Sequence, residues 1–128
     1  MKKIIFVISA LFIFEFTDAQ TIWVNLTKYR GFIGKYEIAM TLANPYGGAT
    51  NCFTIGEYYY LSTKTKINLC SEDDEVIVER VKGKETGYFI LSGDWNKRVG
   101  QVVVGEWYTA DGNKSYPVTL KVVSKGKY

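Results

Sequence analysis

Along most of the chain, polar and apolar side chains alternate one for one. In segment 36–42, Tyr36, Ile38, Met40 and Leu42 share one face while Glu37 and Thr41 take the other. Successive side chains of an extended strand point to opposite faces, so the pattern predicts a strand buried on one side. Segments 29–33, 53–61, 65–70, 75–80, 86–92, 99–108 and 115–123 are similarly short, β-branched or aromatic, and bounded by turn-forming residues. No segment sustains a helical period with capping residues, so little or no helix is expected. The links are mostly short, at Gly34-Lys35, 62–64, 72–74, 82–84 and Asp111-Gly112. Short links join antiparallel neighbours, which makes an up-and-down meander. About eight such strands bury a common apolar face most simply by closing into a small barrel, which also removes exposed sheet edges. The expected fold class is therefore all-β.

The first residues break this pattern. Lys2 and Lys3 precede an apolar run over 4–14 interrupted only by Ser9. That run is shorter than the roughly 20 residues a membrane helix needs, and it matches a secretory leader. Thr17 and Ala19 supply small residues for cleavage before Gln20. The expected organisation is a signal peptide at 1–19 and a single β-barrel domain at 20–128, periplasmic or secreted, with no membrane span after cleavage.

Three sites share a glycine, a charged residue and an aromatic: Gly34-Lys35-Tyr36, Gly56-Glu57-Tyr58 and Gly105-Glu106-Trp107. Glycine permits a bend or bulge in a strand, and the nearby aromatic covers the gap, so the repeat reads as a means of curving a barrel. The wider run Tyr29-x-Gly31-x-Ile33-Gly34-x-Tyr36-x-Ile38-x-Met40-x-Leu42, with Gly56-x-Tyr58-Tyr59-Tyr60, Ile67-x-Leu69, Thr86-Gly87-x-Phe89 and Gly105-x-Trp107, resembles a group of small exported proteins of Gram-negative bacteria. The resemblance spans about residues 29–123 and implies a fold; the group mostly carries no assigned function. The meander is also distantly similar to avidin-like and lipocalin-like barrels. Neither a biotin-site constellation nor the lipocalin Gly-x-Trp motif near the N-terminus is present, so no ligand residues carry over. The group's pattern usually has no cysteine pair, and Cys52 and Cys70 depart from it.

Two cysteines in an exported chain favour a disulfide, worth roughly 3 kcal/mol for a loop of about 18 residues in the chain-entropy account. A hairpin turning at 62–65 would set Leu61 opposite Lys66 and Cys70 opposite Glu57. Bonding Cys52 to Cys70 then requires a register shift or a chain that folds back before Gly56.

Composition narrows the chemistry. The chain has no histidine, which excludes Ser-His-Asp and Cys-His catalysis and imidazole metal sites. Glu37, Glu57, Asp94 and Glu106 alternate with apolar residues and are expected to face solvent rather than form an acid/base pair. The turn Glu72-Asp73-Asp74-Glu75 lacks the ligand spacing of a calcium loop. No enzyme, metal or cofactor is expected. The formal charge of +3 is spread over scattered lysines, so nucleic acid is not an expected partner.

Two classes of binding remain. The connector 44–51 carries Tyr46, and 93–98 presents Trp95 and Arg98 among polar groups; long loops on a rigid barrel commonly carry function. In the first class these residues, with Glu72 and Asp73, dock another extracytoplasmic protein, as an inhibitor or immunity protein against an envelope-targeting toxin or hydrolase would. Trp95 has an alternative role as a plug for one end of the barrel. In the second class the barrel interior takes a small ligand, lined by Tyr58, Tyr60 and Trp107, which alternation directs inward.

Overall fold

The computed structural model describes residues 21–126 except 49 and 74. The expected leader at 1–19 lies outside the described residues, as do Ala49 and Asp74 in two of the expected loops. Eight strands follow in order: β1 (Ile22–Ile33), β2 (Tyr36–Tyr46), β3 (Thr54–Tyr60), β4 (Ile67–Ser71), β5 (Val76–Val81), β6 (Lys84–Leu91), β7 (Val102–Thr109) and β8 (Ser115–Lys125). Each pairs antiparallel with the next, and β8 returns to β1 between Thr27↔Lys125 and Ile33↔Val118, closing the barrel. The all-β meander expected from alternation is the fold.

Two strands are longer than periodicity suggests. β1 begins at Ile22, but its register shifts between Val24 and Thr27, where Asn25 takes a positive φ of 56°. That bulge breaks the alternation a sequence reader follows. β2 continues through Pro45 to Tyr46, which pairs with Ile22 at the strand end, so Tyr46 is not at the centre of a loop.

The β3–β4 register differs by two residues from the expected one. The amides of Thr63 and Lys64 both donate to the Tyr60 carbonyl, and Lys64 adopts φ 61°, so the chain turns earlier and more broadly. Tyr58 then faces Ile67, and Cys70 faces Ile55 rather than Glu57. Cys52 lies just before β3, where the Phe53 amide still donates to the Ser71 carbonyl at 2.6 Å. Its Cα is 5.4 Å from that of Cys70, and the two form a disulfide.

The inward positions make the core. Tyr29, Tyr58 and Phe89 are its largest fully buried side chains, packed with Ile38, Leu42 and Leu120. Tyr58 and Phe89 meet edge to face at 5.2 Å between centroids, so the middle of the barrel is filled by rings. Gly105 lets β6 come close, because a Cβ there would strike the Ile90 carbonyl. The outer face carries Lys28, Arg30, Glu37 and Lys121 beside exposed Phe32, Ile90, Val102 and Val104. Alternating hairpins define two ends. The upper end bears links 34–35, 61–66, 82–83 and 110–114; the lower bears 47–53, 72–75 and 92–101.

Candidate functional site

At the upper end the inward stripe does not close over. Tyr36 heads β2, Tyr60 ends β3, Trp107 lies near the end of β7, and Tyr116 lies near the start of β8. Their positions in phase with buried core residues turn these rings toward the axis. With Ile33 and Lys35 they line a cleft of about 470 Å³. Tyr36 and Tyr60 meet edge to face at 6.3 Å, and Trp107 stacks against Tyr116 at 6.0 Å. Tyr36 is 58% exposed and Tyr116 44%, while Tyr60 and Trp107 are half-buried. The outer rings are thus available to a ligand, and the inner two lead toward the core.

Below the inner rings sits Glu79, only 5% exposed. Its Oε1 accepts the Tyr58 hydroxyl at 2.5 Å and the Trp107 indole N–H at 2.9 Å; its Oε2 accepts the Thr86 hydroxyl at 2.6 Å. The indole can only donate and the two hydroxyls are placed to do so, a set of partners that suits a carboxylate. No lysine or arginine pairs with it among the described residues. Arg80, its chain neighbour, faces outward to Glu85 at 3.1 Å and Glu72 at 3.9 Å. Buried charge is normally compensated by a partner, so this carboxylate stands out. Its surroundings respond to it. Burial, then the negative charge of Glu79, pushes the Tyr58 hydroxyl far above the usual tyrosine range, and burial raises Tyr60 as well. Both therefore remain neutral donors or acceptors.

Two irregularities build this arrangement. The β5–β6 register shifts between Glu79 and Arg80, so Glu79 faces Gly87 while Arg80 faces Glu85, and Thr86 is left to swing its hydroxyl toward Glu79. Gly87 holds open the place the indole occupies: a Cβ there would come within 2.5 Å of the Trp107 ring.

The lower end is built differently. Trp95 packs against the core, donates its indole N–H to the Thr54 hydroxyl at 3.3 Å, and accepts the Tyr29 hydroxyl on its carbonyl at 2.5 Å. Lys125 bridges the Thr27 hydroxyl, at 2.7 Å, and the side-chain carbonyl of Asn96. Burial pushes the Tyr29 hydroxyl above its usual range, keeping it a neutral donor. Beside this plug lies a cleft of about 450 Å³ reached by Ser71, whose buried hydroxyl has no hydrogen-bond partner.

No protein-family model matches the chain, and no curated protein or solved structure matches it either.

The residues singled out from sequence fall into two groups. Tyr58, Tyr60 and Trp107 converge on the upper site, two of them bonded to Glu79. Tyr46, Trp95, Arg98, Glu72 and Asp73 all belong to the lower end, but several have structural work there. Trp95 is the plug, Asp73 accepts the Glu75 and Val76 amides of its own turn, and Glu72 reaches Arg80. Tyr46 stands 68% exposed, and Arg98 is exposed. Of the four carboxylates considered for acid/base work, Glu37 and Glu57 form ion pairs with Arg30 and Lys66, and Asp94 and Glu106 are exposed. Glu79, Thr86, Tyr36 and Tyr116 were not singled out. Glu79 shares its strand face with Ile77, and that phase is the signal that would have found it. No cluster of three or more metal-ligating side chains occurs among the described residues.

Proposed function

We propose that this is a non-catalytic extracytoplasmic binding barrel whose upper mouth takes a small ligand with an apolar body. One observation carries the reading: four aromatic rings line an open cleft, and one of them, Trp107, is hydrogen-bonded to the buried carboxylate of Glu79. Ligand sites are characteristically concave, mostly apolar and furnished with a few convergent polar groups, and the mouths of barrels are common places for them. The filled middle of the barrel confines a ligand to the mouth. The Cys52–Cys70 disulfide supports an oxidising compartment, periplasmic or secreted.

A second reading places another extracytoplasmic protein on the lower end, in the manner of an inhibitor or immunity protein. Tyr46, Phe53 and Ile22, exposed by 68%, 60% and 47% at or beside the lower end, favour it. Aromatic side chains of this kind are good interface anchors. Native mass spectrometry of the chain isolated from its own source without denaturation separates the two. A retained small mass is expected; a stoichiometric protein companion and no small mass would replace the first reading with the second.

A further inference from the structure

Resting on the upper mouth as a ligand site, we infer that its ligand is an organic cation, an amine or quaternary ammonium compound with a compact apolar body. Two independent features call for positive charge. The first is Glu79, a carboxylate 5% exposed whose bonded partners are all neutral and which forms no ion pair among the described residues. A cation bound nearby in a medium of low dielectric would supply the compensation the fold omits. The second is the cleft itself, where Tyr36, Tyr60, Trp107 and Tyr116 present aromatic rings. Ring faces are negative, and a cation within about 6 Å of a centroid is attracted to them, most strongly by tryptophan.

The two features reinforce each other. Trp107 donates its N–H to Glu79 while its ring lines the cleft. An indole polarised by a carboxylate has a more electron-rich face, so the buried charge reaches the ligand through the ring as well as through space. The cation sits over the rings, and the carboxylate remains one hydrogen bond behind Trp107. The chain offers an example of the preference: the Lys35 ammonium lies 5.6 Å from the Tyr36 centroid. Lys35 is the sole charged residue lining the cleft among the described residues, and as a rim cation it competes with the ligand.

The test uses two probes of the same shape, choline and its neutral carbon counterpart 3,3-dimethylbutan-1-ol, titrated calorimetrically into the full domain. Choline is expected to bind about tenfold or more tightly than the alcohol. Glu79→Gln, which keeps an oxygen for Tyr58 and Trp107, should lower choline affinity by about tenfold and leave the alcohol nearly unchanged. Because a buried substitution can disturb the fold, Tyr36→Leu at an exposed ring provides a second variant, expected to weaken choline several-fold and the alcohol little. Lys35→Met should strengthen choline binding. Equal affinity for both probes would overturn the cationic ligand while leaving the mouth as a binding site. If neither probe binds, the cationic ligand is also overturned; a small neutral or acidic mass retained by the chain from its own source then preserves the mouth as a site, and its absence removes both.

Discussion

The two ends of this barrel solve the same problem in opposite ways. At the lower end an indole and a carbonyl of the 92–101 loop are bonded into the bore by Thr54 and Tyr29, while a disulfide ties the start of β3 to β4. The upper end also has an indole at its mouth, but Trp107 donates inward to a carboxylate and leaves ring surface facing an open cleft. The same residue type is a stopper where its polar group meets the barrel wall and a platform where that group meets a buried charge. The two networks differ in the acceptor: a neutral hydroxyl at the lower end, and at the upper a carboxylate with no ion-pair partner among the described residues.

The strongest challenge to both networks is alkaline pH. Tyr58 at the upper end and Tyr29 at the lower have hydroxyls raised above the ordinary value of 10.0, chiefly by burial, and Tyr58 is raised further. Each is neutral in the fold and ionises more readily when unfolded. The contribution of these two groups is therefore flat below about pH 10 and falls as pH rises above it, by about 1.4 kcal/mol per pH unit for each group. Urea unfolding at stepped pH should show this slope, and Tyr58→Phe should reduce it. An unchanged slope would mean that the phenol is not confined by Glu79 and the core.

Glu79→Ala should come next, at about 3 to 4 kcal/mol, because it strands the Tyr58 hydroxyl and Trp107 N–H and opens a void. A loss below about 1 kcal/mol in the same unfolding assay would show that these donors find other partners. Removing the disulfide by Cys52→Ala with Cys70→Ala should cost about 3 kcal/mol while leaving choline affinity unchanged, since the bridge belongs to the lower end. Trp95→Ala should cost about 2 to 3 kcal/mol, the penalty for pulling a packed plug; an unchanged melting temperature would instead return Trp95 to the role of a free docking residue. The smallest effect is expected at Ser71→Ala, which removes an unpartnered buried hydroxyl and should be neutral or stabilising by up to about 1 kcal/mol. Destabilisation there would reveal a hydrogen bond in the lower cleft.

Much of the fold is legible in the sequence because a one-for-one alternation survives along most of the strands' length. What hides from it are the places where the backbone departs from that period. The bulge at Asn25 conceals the first part of β1, and the broad turn after Tyr60 moves the β3–β4 register that brings the cysteines together. The site divides along the same line. Tyr58, Tyr60 and Trp107 are in phase with the core and can be placed inside from sequence. Glu79 is harder to see because Arg80 follows it, and two adjacent charged residues suggest a solvated strand end although they occupy opposite faces. Thr86 reaches Glu79 only through a bulge, a displacement no periodic count contains.

The most direct test of the difference between the ends is to follow the three indole N–H resonances in a ¹H–¹⁵N spectrum while choline is added. Trp107 should shift progressively and saturate, while Trp95 and Trp23 stay in place. Movement of Trp95 with Trp107 unmoved would put the ligand at the lower end and contradict the account.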